Sequence, residues 1–191
     1  MIHETVVTTR RSDGRTHIAP MGVRAVDGLL VLAPFRPSGT LENLLREGYA
    51  VINYTDDVRV IAGCLTGRRD WPLVPAARVP GMRLADCLAH TEVQLERAVP
   101  DETRPQLHCR VVHEETHAPF RGFNRAQAAV VEAAILVSRL TLLPREKIER
   151  EIAYLTIAIE KTAGPREREA WGWLMERVAA HYAEATSGSG A

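Results

Sequence analysis

Short apolar runs separated by turn residues mark the beginning of the chain. Ile2–Thr9 is rich in β-branched residues, and Arg15–Arg24 holds further spaced apolar side chains. The Asp13-Gly14 pair between them favours a tight hairpin turn. A second turn leads to the apolar run Leu29–Phe35. These runs predict a β-meander of three strands.

The next stretch changes from strand periodicity to helix periodicity and back again. Thr40 stands where a helix N-cap is expected, with Asn43 at the third helical position, and Gly48 is placed to end the helix. The predicted helix has one apolar side, formed by Leu41, Leu44 and Leu45. Tyr49–Thr55 is rich in strand-forming residues and alternates poorly, which predicts a strand buried on both faces.

The middle of the chain predicts more strands than helices. Asp56 and Asp57 are placed to cap a second short helix that ends near Leu65. Residues 67–82 are punctuated by glycine, arginine and proline and predict an irregular loop, whereas residues 84–118 return to strand patterning. Many short strands joined by hairpins indicate a small antiparallel barrel.

The chain becomes helical from Asn124 onward. Ala126–Leu143 is apolar almost all round, Pro144 opens a second helix, and Gly164-Pro165 separates it from a third. This three-helix unit is expected to pack on the barrel or on a neighbouring subunit. The pattern predicts an α+β protein with a barrel domain over 1–121, a helical domain over 122–185 and a flexible tail over 186–191.

Composition excludes several classes of function. Charged residues make up 25% of the chain and balance to a formal net charge of +0, so no general attraction to nucleic acid or anionic membranes is expected. No apolar run is long enough for a transmembrane helix, and the first residues lack the features of a signal peptide. Three scattered cysteines, Cys64, Cys87 and Cys109, indicate the reduced thiols of a cytoplasmic protein.

The entry to the first predicted helix is the strongest candidate for binding chemistry. Arg36, Ser38, the Gly39 amide and Thr40 place a cation, two hydroxyl groups and backbone N–H groups at a positive helix end. That combination suits a phosphate group. A well-capped helix that follows a turn is the alternative explanation for the same residues.

Two histidine-containing segments are candidates for metal sites, and neither is expected to bind a metal. His113–His117 matches the zinc-protease pattern H-E-x-x-H, which works only on a helix. Here it follows a strand pattern, and at ~3.3 Å per residue its two histidines would lie about 13 Å apart. A zinc hydrolase therefore remains a remote alternative. The second segment set, Cys87, His90, His108 and Cys109, lacks metal-ligand spacing.

Several short motifs, in their order and spacing, resemble the FMN-binding split-barrel superfamily, which includes flavin reductases and pyridoxamine-phosphate oxidases. The resemblance covers about residues 1–118. The matching segments are Thr8-Thr9, Asp13-Gly14, Ala19-Pro20, Thr40-Leu41-Glu42-Asn43-Leu44 and Val51-Ile52-Asn53.

The helical end strengthens a narrower resemblance. Gly122–Ala126 reads Gly-Phe-Asn-Arg-Ala, and Glu160-Lys161-Thr162 follows later. With these segments the whole chain resembles a small family of uncharacterised flavoproteins from methanogenic archaea and from methylotrophic bacteria that use tetrahydromethanopterin. The resemblance implies FMN as cofactor and a homodimer that holds FMN at the subunit interface.

The same resemblance implies which residues would bind the cofactor. The phosphate would be held near the helix entry, the isoalloxazine edge would meet the backbone of the second strand, and two asparagines would support ribityl or ring atoms. The resemblance also implies Asn124 and Arg125, which open the first helix of the helical domain. Their alternative explanations are a helix N-cap for Asn124 and a surface position for Arg125. The predicted residues are Met21, Gly22, Val23, Arg36, Ser38, Gly39, Thr40, Asn43, Asn53, Asn124 and Arg125.

Function follows from the resemblance and not from composition. The leading hypothesis is an FMN-dependent oxidoreductase of the flavin-reductase type, with an unknown small-molecule substrate or electron donor and an implied link to one-carbon metabolism. A non-catalytic FMN carrier or sensor is the alternative. No side chain stands out as a catalytic residue, and the sequence holds no glycine-rich dinucleotide fingerprint.

Overall fold

A computed structural model describes residues 1–188 of the chain. Of the predicted tail 186–191, residues 186–188 continue the last helix, and residues 189–191 lie outside the described part. The strands are β1 (His3–Arg10), β2 (Thr16–Val26), β3 (Leu29–Leu32), β4 (Tyr49–Tyr54), β5 (Leu73–Pro75), β6 (Met82–Leu84), β7 (Ala89–Val99) and β8 (Gln106–Thr116). The helices are α1 (Gly39–Glu47), α2 (Val58–Leu65), α3 (Arg125–Val137), α4 (Arg145–Thr162) and α5 (Pro165–Gly188).

Six of the strands close an antiparallel barrel, which confirms the predicted fold class. Their order around the barrel is β1-β2-β3-β8-β7-β4. Inward-facing side chains of these strands and of α1 form the core of the barrel. Alternate residues of a strand face opposite sides, so the neighbours of these core residues face outward from the barrel. Several of the outward-facing residues are nevertheless buried and polar. The core residues are Val7, Val23, Leu32, Leu41, Leu44, Ala50, Ile52, Val93, Leu107 and Cys109.

Helix α1 begins two residues earlier than the sequence predicted. Ser38, not Thr40, is the N-cap, and its hydroxyl oxygen accepts the Leu41 N–H at 3.3 Å. Gly48 ends the helix as predicted, in the left-handed conformation with φ 77° that glycine adopts without strain. The cap prediction was wrong because serine and threonine are both good N-caps and only the backbone path distinguishes them.

Residues 67–82 are not a wholly irregular loop. β5 and β6 form a two-stranded hairpin. Buried polar side chains of the barrel strands hold this hairpin in place by hydrogen bonds. Thr8 donates to the Met82 carbonyl at 2.5 Å, and the Asn53 side chain accepts the Leu84 N–H at 2.8 Å. Glu92 accepts three N–H groups of the loop between the two strands, those of Ala77, Arg78 and Val79, at 2.6–2.7 Å.

The chain divides into two compact units, and each unit consists of two segments that are separate in the sequence. The first contains residues 1–56 and 70–120, and the second contains residues 57–69 with the chain from residue 121 onward. Helix α2 therefore belongs with α3 and α5, which it contacts. Asp57 caps α2 through the Arg59 N–H, as predicted. Helix α3 ends at Val137, six residues before the predicted end.

None of the helices within residues 1–188 has the length and apolar character that crossing a bilayer requires.

Candidate functional site

Strand β2 leaves part of one edge without a strand neighbour. It pairs with β1 along its first eight residues, but β3 pairs with it only from Val23 to Val26. Within the described chain, residues 19–22 of β2 therefore have a strand on one edge only. The predicted residues Met21 and Gly22 lie in this part of the strand. A half-paired strand offers backbone groups to a ligand that carries matching donors and acceptors.

The start of α1 lies directly beside the beginning of β2. A Cβ atom added to Gly39 would lie 3.3 Å from Cε1 of His17, so glycine allows this close approach. Gly22 is also constrained, because a Cβ there would lie 2.9 Å from Cγ2 of Ile2. The helix entry and β2 are thus one local structure, and no sequence pattern indicated that His17 belongs to it.

The first turn of α1 has the features of an anion site. Helical geometry leaves the N–H groups of Gly39 and Thr40 without partners inside the helix. Thr40 is 1% exposed, and its Oγ1 is buried without a hydrogen-bond partner in the described structure. Since a buried hydroxyl group normally has a partner, this atom is a reason to expect one that comes from outside the chain.

Two arginines border the same entry. Arg36 is exposed, its N–H donates to the Thr103 carbonyl at 2.9 Å, and its Nε donates to the Asp101 carbonyl at 3.3 Å. Arg104 lies over the ring of Phe35, with its guanidinium carbon 4.7 Å from the ring centroid. The β7–β8 turn thus adds a cation that local spacing could not predict.

The predicted asparagines of the barrel have their side chains engaged inside the protein. The Asn43 amide group donates to Thr9 Oγ1 at 3.0 Å, and its oxygen accepts from Arg46 at 3.1 Å. Asn53 is fully buried. Its amide group donates to the Val6 carbonyl at 2.9 Å, and its side-chain oxygen accepts the Leu84 N–H. These contacts favour a structural role for both residues.

Asn124 and Arg125 belong to the second unit. Asn124 is the N-cap of α3: its oxygen accepts the Ala126 N–H at 2.8 Å, and its amide group donates to the Thr162 carbonyl at 3.2 Å. Arg125 is exposed in the first turn. Asn124 is thus a helix N-cap and Arg125 a surface residue, as their alternative explanations stated. Contact of either residue with the cofactor remains a prediction.

Replacing Asn124 by alanine removes the side-chain hydrogen bonds of this cap, which join it to the N–H groups of Ala126 and Gln127 and to the Thr162 carbonyl. We expect the free energy of unfolding to fall by about 1 kcal/mol, the typical value for a lost N-cap. Urea denaturation followed by circular dichroism measures the change. Ser138→Ala at the other end of α3, where the hydroxyl group only donates to the Ile135 carbonyl, is the control and should change stability less. Equal losses in both variants would contradict the capping role.

The histidine-rich segment forms a cluster with residues of β7. His90 faces Glu115, and Glu92 faces His113, across the β7–β8 pair. His90 Nδ1 lies 2.9 Å from His117 Nε2, and His90 Nε2 lies 3.2 Å from the Glu92 carboxylate. The zinc-protease arrangement is absent from this segment, because Glu114 accepts a hydrogen bond from Thr91 Oγ1 at 3.1 Å and alternates to the other face of the strand.

The acidity of Glu92 fixes the tautomers in this cluster. Burial acts to raise the pKa of Glu92, but hydrogen bonds from the loop N–H groups and His90 outweigh it, so this pKa lies below its ordinary value. The ionised carboxylate can only accept, so His90 Nε2 donates to it, and the neutral tautomer with its proton on Nε2 has an Nδ1 that can only accept. Burial and then the charge of Arg83 lower the pKa of His117, which favours its neutral form.

The cysteines offer no reactive thiol. All three are buried, and none of them forms a disulfide bond. Burial raises the pKa of Cys64 to about 11 and that of Cys109 to about 12, so both thiols stay protonated near neutral pH. Nucleophilic cysteine chemistry is therefore not expected here.

Comparison with known proteins matches both halves of the chain to one family. The model of the N-terminal domain of a protein of unknown function, DUF447, matches residues 3–118, and a second DUF447 model matches residues 124–176. An uncharacterised protein of Methanocaldococcus jannaschii is 37% identical over 147 residues, which cover 73% of this chain and 75% of that protein.

Solved structures share the fold. The FMN-bound DUF447 protein of Methanosarcina mazei superposes with a TM-score of 0.79 at 18% identity, and the match covers 92% of this chain and 94% of that one. The NADH:FAD oxidoreductase of Streptomyces globisporus C-1027 matches with a TM-score of 0.52 at 12% identity, over 64% of this chain and 80% of that one.

Proposed function

We propose that this chain, which belongs to the DUF447 family of proteins of unknown function, binds FMN and acts as an oxidoreductase of the flavin-reductase type. The observation that carries the proposal is the meeting of two features in one place. Among the described residues, the start of α1 has N–H groups without partners inside the helix and a buried hydroxyl group without a hydrogen-bond partner, and it lies beside an edge of β2 that no strand covers. The FMN-bound relative with the same fold supports the same cofactor.

The residues at the helix entry fit a phosphate group. The N–H groups of Gly39 and Thr40 would donate to phosphate oxygens, and the Thr40 hydroxyl group would gain the partner that it lacks. Ser38 can still donate its own hydroxyl proton, because its oxygen is what caps the helix. The guanidinium group of Arg36 would add a charge-assisted hydrogen bond.

The open edge of β2 would receive the ring system. Backbone groups of Met21 and Gly22, in the half-paired part of β2, would face polar atoms at the isoalloxazine edge, and Val23, which already pairs with Leu32 of β3, would border them. Bound FMN would supply the redox chemistry, which needs no further catalytic side chain. Asn43 and Asn53 would support the site indirectly, by fixing α1 and the β5–β6 hairpin, and direct contact of either residue with the cofactor stays a prediction.

A homodimer completes the proposal. Phe35, at the helix entry, is 56% exposed, and a second copy of the chain would cover such an aromatic side chain and shield the flavin from water. Contact of Asn124 or Arg125 with the cofactor stays a prediction from the family resemblance. Sedimentation with and without FMN measures the oligomeric state.

Titration with FMN tests the cofactor directly. We expect the purified protein to bind FMN with a saturable change in the visible flavin spectrum. Arg36→Ala should weaken binding by about tenfold or more, since a charge-assisted hydrogen bond contributes roughly 1.5–3 kcal/mol. Arg110→Ala is the matched control: this exposed arginine on β8 contacts only Gln94 and Glu96 and should leave affinity unchanged.

The outcome separates three cases. A protein that gives no spectral change at high FMN concentration would overturn the proposal. Binding with oxidation of NADH or NADPH would establish a reductase, whereas binding without turnover would leave a carrier or sensor. A reduced pterin is the second donor to test, because the family resemblance points toward tetrahydromethanopterin-dependent one-carbon metabolism.

A further inference from the structure

We propose that His90, His113 and Glu115 form a binding site for a divalent transition metal ion of the zinc type. The three side chains come from β7 and β8 of the barrel and are separate from the helix entry described above. The proposal does not depend on FMN binding. It also departs from the sequence-based expectation that the histidine-rich segment holds no metal.

The strand register brings the three side chains to one face. His90 pairs directly with Glu115, and His113 lies two positions before Glu115 on the same strand. One potential ligand atom from each residue lies within 4.8 Å of the other two. His113 Nε2 and Glu115 Oε2 are 3.6 Å apart. Ligand atoms of a tetrahedral zinc site, at about 2.0–2.1 Å from the metal, are separated by about 3.3 Å.

His113 has a ring nitrogen without a hydrogen bond among the described residues, since 3.6 Å to Glu115 is too long for one. Its Nε2 is buried and makes no hydrogen bond in the described structure. A buried polar atom of this kind normally has a protein or water partner, so the absence of a partner calls for an explanation. A metal ion would accept the lone pair of this nitrogen, which explains both its position and its missing partner.

Glu92 would orient His90 for the metal. In metal sites, a ligating histidine usually donates its second ring N–H to a carboxylate or carbonyl oxygen. Glu92 accepts from His90 Nε2, which leaves the lone pair of Nδ1 available. His117 Nε2 now lies 2.9 Å from that atom, and the His117 ring would give way to the ion. Two imidazole ligands with one carboxylate suit zinc or cobalt.

Metal titration of the full-length protein tests the proposal. The untagged protein is stripped with a chelator, and Zn²⁺ affinity is then measured by competition with a chromophoric chelator, with Co²⁺ absorption as a report of coordination. We expect one equivalent of metal per chain. His113→Ala and Glu115→Gln should each weaken binding by at least about tenfold, since even the loss of an outer contact costs about 10–100-fold.

Glu114→Gln provides the matched control. It changes the neighbouring carboxylate of the same strand, whose hydrogen bond from Thr91 a glutamine oxygen can also accept, and it should leave affinity unchanged. Circular dichroism confirms that each variant is folded, and His113 and Glu115 are exposed enough for this to be expected. Absence of stoichiometric binding would overturn the proposal, as would equal affinities in all variants, which would indicate a hydrogen-bonded histidine pair without a metal.

Discussion

Leu44→Ala should lower the free energy of unfolding by about 2–5 kcal/mol, the range for removing a buried leucine side chain. Leu44 lies on the inner face of α1, is completely buried, and belongs to the cluster that fills the barrel. The substitution leaves a cavity that the surrounding strands can fill only in part. Chemical denaturation of the purified variant measures the loss.

The neighbouring residue is a control on the same helix. Leu45 is 50% exposed, so Leu45→Ala should change stability by only a few tenths of a kcal/mol. The contrast tests whether α1 is fixed to the barrel by its inner face. A similar loss in both variants, or none in Leu44→Ala, would show that the helix is not held in this way. Because α1 carries the proposed phosphate site, Leu44→Ala should also weaken FMN binding.

Glu92→Gln is expected to have the second-largest effect. Its carboxylate is fully buried and accepts three N–H groups from the loop between β5 and β6. Glutamine would turn one acceptor oxygen into a donor that faces other donors. Hydrogen bonds to charged groups contribute about 1.5–3 kcal/mol, and a mismatched buried group adds a penalty, so we expect a loss of about 2–4 kcal/mol. Urea denaturation measures it.

The charge of Glu92 also predicts a direction for the effect of pH. Its pKa in the folded protein is below its ordinary value, so the ionised form stabilises the fold. That contribution is complete above the ordinary pKa of a glutamate, about 4.3, and is lost as the pH falls through the lowered value. The difference in the free energy of unfolding between the wild-type protein and Glu92→Gln should therefore shrink at acidic pH. Glu114→Gln, with its weaker single contact, should show neither effect.

The barrel could be predicted from the sequence because its signals are local. Alternating apolar residues, the Asp13-Gly14 turn and Gly48 each act within a few residues of where they stand, and the structure has strands and a helix end where they predicted them. The N-cap was misplaced by two residues because Ser38 and Thr40 suit the position about equally well.

The fastening of the β5–β6 hairpin could not be predicted from the sequence. Its two strands are only three residues long, so they show no periodicity. Its partners Thr8, Asn53 and Glu92 come from three separate strands, and only the assembled barrel brings them together. The same reason applies to Asn53, next to the end of β4: its predicted contact with a cofactor came from a sequence motif, whereas its contact with Leu84 is visible only in the assembled barrel.

The histidine cluster shows a similar limit. The distance expected between His113 and His117 along a strand predicted that no zinc-protease site forms there, but it could not reveal a residue from the adjacent strand. His90 reaches the cluster because β7 and β8 pair in a register with two irregularities, one of them directly after Glu92. A register shift of this kind has no clear signature in a single sequence.

The discontinuous boundary between the two units restricts how a gene can exchange its parts. Helix α2 is encoded in the middle of the barrel sequence, yet its six buried residues are covered within the helical unit. A chain cut once near residue 120 would retain α2 without α3 and α5. Recombination that transferred the barrel sequence alone would carry an uncovered apolar helix with it, so the two units are inherited most readily as one block.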